Sequence, residues 1–128
     1  MSQHAPHLLI VDDDERIRSL LQKFLIRNGF LVTAARDAAH ARRLLAGLEF
    51  SLIVLDVMMP GMDGPSTLKQ LQQQFDLSQV PVVFMTAKVQ SSEIESYKAL
   101  GASDVVVKPF DPMTLSEQIR QIWQRQQR

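Results

Sequence analysis

The chain contains no cysteine. Disulfides and thiolate chemistry are therefore excluded, and the composition suits a reducing compartment without requiring one. Net charge is missing too: 14 Lys and Arg balance 14 Asp and Glu, leaving +0 at pH 7. No global field then draws the chain to nucleic acid or to an anionic membrane. The longest purely apolar runs are about five residues, far short of the roughly 20 that a membrane-spanning helix needs. Residues 1–7 carry no basic stretch leading into an apolar one, so no secretory signal is expected and the default location is cytoplasmic. Internal repeats, interdomain linkers and low-complexity segments are also absent, and the glutamine-rich end at residues 118–128 reads as a solvated, fraying helix face.

What remains is ordinary for a globular protein: 128 residues, 45% hydrophobic and 22% charged. That is one domain, 1–128, with a core expected over about 8–123. Leu8, Leu9, Ile10 and Val11 form a short run of the kind buried on both faces inside a parallel sheet. Further strands are expected over 31–34, 51–55, 80–85 and 104–107. Between them apolar residues recur at helical spacing: Ile17, Leu20, Leu21, Phe24 and Leu25; then Ala41, Leu44, Leu45 and Leu48; then Leu68, Leu71 and Phe75. Ile94, Tyr97 and Leu100 mark a fourth helix, and Leu115, Ile119, Ile122 and Trp123 a fifth. Asp37 and Asp111 suit N-caps, Ser92 and Glu95 have capping-box spacing, and Pro65 and Pro112 suit first turns. Asn28-Gly29 and Gly101 read as stops. Strands alternating with helices over short links argue an α/β fold, a doubly wound parallel sheet with helices on both faces.

In such a sheet ligands gather at the carboxyl ends of the strands, around the point where strand order reverses. Asp12 and Asp13 follow the first strand, Asp56 ends the third, Thr86 the fourth and Lys108 the fifth. Since the first and third strands are neighbours in a doubly wound sheet, the carboxylates converge. Three carboxylates repel one another unless a positive charge offsets them. An all-oxygen donor set selects a hard cation such as Mg²⁺. With Lys108 added, the site has electrostatic capacity left for an incoming phosphoryl group, whose oxygens the Thr86 hydroxyl and the backbone N–H groups near Ala87 could receive. Singly, each residue also has a structural reading. Asp12 to Asp14 could decorate a helix N-terminus, worth roughly 0.3–1 kcal/mol each, Thr86 could be a strand residue and Lys108 a solvated charge. Asp14 and Asp63 are read as a first-turn acid and a turn residue.

The motifs Val11-Asp12-Asp13, the run from Leu55 and Asp56 through Met58, Pro60, Gly61 and Asp63 to Gly64, then Met85-Thr86-Ala87, Gly101-Ala102-Ser103-Asp104 and Lys108-Pro109-Phe110, resemble in order the receiver domain of a two-component response regulator of the chemotaxis-regulator type. The resemblance implies a flavodoxin-like (βα)5 fold of strand order 2-1-3-4-5 and a bacterial phosphorelay role. It implies phosphorylation of Asp56 by a histidine kinase or histidine phosphotransfer protein, and slow autodephosphorylation by a switch rather than an enzyme. It implies Mg²⁺, replaceable by Mn²⁺, held by Asp13, Asp56 and the backbone carbonyl of Met58, with Asp12 acting through water. Thr86, Ala87 and Lys108 would meet the phosphoryl group, and a cis peptide at Pro109 would aim Lys108 into the site. Many receivers carry an aromatic three residues before the lysine; here it is Val105, so the threonine–aromatic switch cannot work in its usual form. The response is then expected in the loop after Thr86 and in the fourth helix, altering a face of helix 4, strand 5 and helix 5 that meets a protein partner or another copy, without nucleic-acid binding by this chain alone.

Two other classes are possible on the same elements. A haloacid-dehalogenase-like phosphatase shares Asp, Mg²⁺, Thr and Lys, but needs a second Asp two residues after the nucleophile, where Met58 stands. A flavodoxin-like cofactor module would want a phosphate-cradling loop after the first strand, where three acids repel an anion. The chain could also be a receiver fragment of a longer DNA-binding or enzymatic regulator.

Overall fold

The computed structural model describes residues 5–59, 62–87 and 91–126. Strands β1 (His7–Val11), β2 (Leu31–Ala35), β3 (Leu52–Asp56), β4 (Val82–Thr86) and β5 (Asp104–Val107) alternate with helices α1 (Glu15–Arg27), α2 (Ala38–Gly47), α3 (Gly64–Gln74), α4 (Ser91–Ala99) and α5 (Pro112–Gln126). The strands form one five-stranded parallel sheet in the order β2-β1-β3-β4-β5. Met58–Met59 and Met62–Asp63 pair antiparallel beyond β3. Residues 60–61 of the expected turn and 88–90 of the loop after Thr86 lie outside the described residues.

The continuous apolar run of β1 is explained by its central place. Successive strand side chains point to opposite faces, and both faces here are covered. Leu8, Ile10, Leu52, Val54, Val83, Met85 and Val106 pack against Leu21 and Leu25 of α1 and Leu115, Ile119 and Ile122 of α5. Leu9, Val11, Ile53, Leu55, Val82 and Phe84 pack on the other face against Ala41 of α2, Leu68 of α3 and Tyr97 of α4. Gly29 and Gly101 stop their helices at positive φ, +94° and +114°.

Several local expectations shift. β4 begins at Val82 rather than 80, because Pro81 has no N–H to give the ladder; its carbonyl instead takes the Ile53 N–H at 3.0 Å. α3 starts one residue before Pro65, and α4 starts at Ser91, which puts Ser92 inside the helix instead of at its N-cap. Leu20, Leu48 and Leu100 are about half exposed rather than inward. Leu20 lies at the margin of the α1 stripe, and Leu48 and Leu100 fall just past the ends of their helices. Asp37 and Asp111 cap as expected, accepting from the His40 N–H at 2.7 Å and the Met113 N–H at 3.1 Å.

A candidate phosphoacceptor site at the strand ends

The register brings the site residues to one edge. Val11 pairs with Leu55, so Asp12 emerges beside Asp56; Thr86 pairs with Val107, one residue before Lys108. Asp12 extends β1 by one more bond, its N–H reaching the Ala35 carbonyl at 3.1 Å. Its Oδ1 accepts from the Asp14 N–H at 2.9 Å and its Oδ2 lies 3.3 Å from the Lys108 ammonium. The same ammonium stands 3.4 Å from Asp56 Oδ2. Asp12 and Asp56 are buried, Asp13 is exposed, and one carboxylate oxygen from each of the three lies within 4.8 Å of the others. Thr86 is buried and its carbonyl accepts the Lys108 N–H at 2.7 Å, which ties the backbone of the lysine to the threonine; Ala87 follows, exposed. The Lys108–Pro109 peptide is cis, as expected.

Burial pushes the Asp12 carboxyl above its ordinary value, and the nearby Asp56 charge adds to the push; the Asp14 N–H and Lys108 act in the opposite sense. Asp14 is an N-cap and not a first-turn acid: its side chain takes the Arg16 N–H at 2.9 Å, which lowers its own carboxyl. Val105 is half-buried opposite Phe84, and Phe84 meets an aromatic from α4 instead of β5: the Tyr97 ring stands edge-on at 5.1 Å. Sequence reasoning missed one residue, Arg18, whose Nη1 donates to the Asp12 carbonyl at 2.7 Å. No spacing rule flags an arginine that turns back over the start of its own helix.

The family model for the response regulator receiver domain matches residues 8–120. The chain belongs to that family. It is 60% identical over 126 residues to protein PetR of Rhodobacter capsulatus, covering 98% of this chain and 52% of PetR. It is 36% identical to the transcriptional regulatory protein GltR of Pseudomonas aeruginosa, covering 99% of this chain and 52% of GltR. The chain thus spans about half the length of these curated relatives. Among solved structures, chemotaxis protein CheY4 of Vibrio cholerae matches with TM-score 0.86 and 30% identity over 92% of this chain and 98% of that one. A Francisella response regulator receiver domain matches at 0.85 and 30% over 94% and 98%.

This receiver domain is a phosphoacceptor module of a two-component system, a signalling switch rather than a catalytic enzyme, and the phosphatase alternative is not favoured. Receiver domains bind Mg²⁺ at an acidic pocket. The donor set fits such an ion: three carboxylates converge, two of them buried, and Asp12 has its carboxyl pushed up by burial and by the neighbouring Asp56 charge, which a bound cation would offset. Among the described residues no helix is long and apolar enough to cross a membrane.

The Asp12 shift carries a stability consequence. A carboxyl raised in the fold binds more protons folded than unfolded, so its contribution is favourable below the ordinary carboxylate value and is lost as pH rises through the folded value. Asp12→Asn keeps an acceptor for the Asp14 N–H and removes the charge. In chelator at pH 7 it should be more stable than the parent by on the order of 1 kcal/mol, with the gain vanishing near pH 3. Urea midpoints at the two pH values measure this, and an Asp12→Asn midpoint at pH 7 below the parent's would refute it.

Proposed function

We propose that Asp56 is the phosphoryl acceptor, receiving the group from a phosphohistidine on a histidine kinase or histidine phosphotransfer protein. An Asp56 oxygen attacks phosphorus; the P–N bond to the imidazole breaks and its electron pair leaves with the ring, which is then protonated. The observation that carries this reading is the placement of Lys108 at 3.3 Å from Asp12 and 3.4 Å from Asp56, within a cluster of three carboxylates. Asp13, Asp56 and the Met58 backbone carbonyl would hold Mg²⁺ or Mn²⁺, with Asp12 acting through water; the ion supplies charge stabilisation for a phosphoryl group. Lys108, the Thr86 hydroxyl and the N–H groups around Ala87 receive the phosphoryl oxygens, and slow autodephosphorylation resets the switch in the cytoplasm.

Thr86 moves toward the new acceptors, and the packed interior behind β4 repacks. Val105 is too short and too stiff at χ1 to swing in, so the response passes through Tyr97 and α4. The altered face runs over α4, β5 and α5, where Val107 and Met113 are 45% and 71% exposed, and it meets a protein partner or a second copy of the chain. GltR is a transcriptional regulator about twice as long as this match, which supports reading the chain as the receiver portion of a longer regulator whose DNA contacts lie elsewhere.

Incubation with acetyl phosphate and Mg²⁺ should add one phosphoryl mass at Asp56, and chelator should abolish it. Beryllofluoride with Mg²⁺ should then shift amides between residues 86 and 110. Labelling that ignores chelator defeats the acceptor assignment, and shifts centred on α2 defeat the output face.

A further inference from the structure

The acidic loop between β1 and α1 is held unevenly. Asp12 is fixed by its own side chain, through Lys108 and the Asp14 N–H. Asp13 is exposed, and its direction is set by the two peptide planes that flank it. The later plane is held by the Asp14 N–H on Asp12 Oδ1 at 2.9 Å. The earlier plane, between Asp12 and Asp13, is held through the Asp12 carbonyl, which lies beyond the last rung of the β1 ladders and takes its hydrogen bond from Arg18 Nη1 at 2.7 Å. A buried carbonyl needs such a partner. Arg18 can supply it because helical side chains lean toward the helix N-terminus. Its own N–H closes the first turn on the Asp14 carbonyl at 3.0 Å, so the residue is anchored on both sides of the loop. Arg18 is half-buried, and the rigid fork of its guanidinium suits a fixed carbonyl.

We infer that Arg18 is a positioning residue: by gripping the Asp12 carbonyl it aims the Asp13 carboxylate at Asp56 and so sets the affinity of the acidic site for Mg²⁺. The inference rests on the acceptor site proposed above. Partners that orient metal ligands without touching the metal typically cost 10–100-fold in affinity or activity when removed.

The test is a titration of the 128-residue chain with Mg²⁺ alone, followed through the amide signals of residues 12–14. Arg18→Leu should bind Mg²⁺ about tenfold more weakly or worse, and its acetyl-phosphate labelling should recover at saturating Mg²⁺. Arg18→Lys, which keeps a donor and a charge, should recover most of the affinity. Arg120 offers a control of the same chemistry far from the site, since its guanidinium donates to the Asn28 carbonyl and lies over the Phe30 ring. Arg120→Leu should lower the melting temperature while leaving Mg²⁺ affinity within about twofold of the parent. If the leucine variant does not fold, Arg18→Gln takes its place and should fall between parent and tenfold loss. The inference is overturned if Arg18→Leu or its substitute binds Mg²⁺ like the parent, if Arg18→Lys recovers nothing, or if Arg120→Leu loses as much affinity. Absence of labelling in the unmodified chain would instead strike the acceptor assignment, and the Mg²⁺ titration would still read the role of Arg18.

Discussion

Asp56→Asn is expected to take up no phosphoryl group from acetyl phosphate, a loss of roughly 10³-fold or more, the scale seen when a nucleophile is removed. The amide has the shape of the carboxylate without its anionic oxygen, and no other described carboxylate combines burial with an ammonium at 3.4 Å and a place at the end of a central strand. Asp12 comes nearest, buried with the same ammonium at 3.3 Å, but it follows its strand where Asp56 ends one. The supporting residues should divide the work. Asp13→Asn should weaken Mg²⁺ binding by about 10–100-fold because a charged oxygen donor is lost. Lys108→Ala removes the cation shared by Asp12 and Asp56; it should leave the metal largely in place and impair phosphorylation or its structural response. Thr86→Ala should be labelled but show a blunted amide-shift response. Intact mass spectrometry and Mg²⁺ titrations on the four variants decide the matter. Normal labelling of Asp56→Asn sinks the acceptor, and equal loss of metal binding in the other three sinks the division of roles.

Gly64→Ala should cost about 3 kcal/mol, at the upper end for overpacking a tight site, and lower the melting temperature by roughly 10 °C for a chain of this size. A Cβ at this position would sit 2.5 Å from Val57 Cγ1 and 2.8 Å from both Val57 Cα and Cβ. Val57 cannot step aside easily. It is buried, its N–H donates to the Met85 carbonyl at 3.0 Å, and its carbonyl accepts the Gly64 N–H at 3.2 Å. Val57→Ala in the same chain should relieve only part of the loss, because it removes the Cγ1 contact and leaves the backbone one. The strain also has a functional route, since Val57 follows Asp56 directly and a displaced Val57 moves that carboxylate. Urea unfolding gives the measurement: a lower midpoint with an unchanged slope is expected, and a midpoint within error of the parent would show that the β3–α3 connection yields more readily than its hydrogen bonds suggest.

Much of the fold was legible in the sequence because it depends on neighbours along the chain. An apolar run such as Leu8 to Val11 must be covered on both faces, so its place inside a parallel sheet follows from the run itself. Asp37 and Asp111 cap the helices they precede because capping is a contact over two or three residues. The identities at the strand ends, Asp12, Asp13, Asp56, Thr86 and Lys108, were readable for the same reason: each ends or follows a strand that could be recognised locally. Boundaries were less secure where one atom decided them, as at Pro81, or where a helix margin rather than its centre was in question, as at Leu20.

The rest belongs to tertiary structure, because it depends on distances between residues far apart in the chain. Lys108 meets Asp12 across 96 positions, and only the sheet register makes one ammonium serve two carboxylates. The upward push on Asp12 arises from burial, which no local pattern encodes. Tyr97 stands beside Phe84 because α4 lies on that face of the sheet, although the strand position that many receivers fill with an aromatic is Val105. Gly64 and Val57 are close in sequence, yet their contact depends on how tightly the chain returns from β3 into α3. Arg18 reaches the Asp12 carbonyl because the turn after β1 carries α1 back over the loop. Residue type and spacing along the chain settled which groups stand at the strand ends, whereas which of them touch, their charge state, their aim and the room around them were decided by packing, where energies follow distance in space and not separation in sequence.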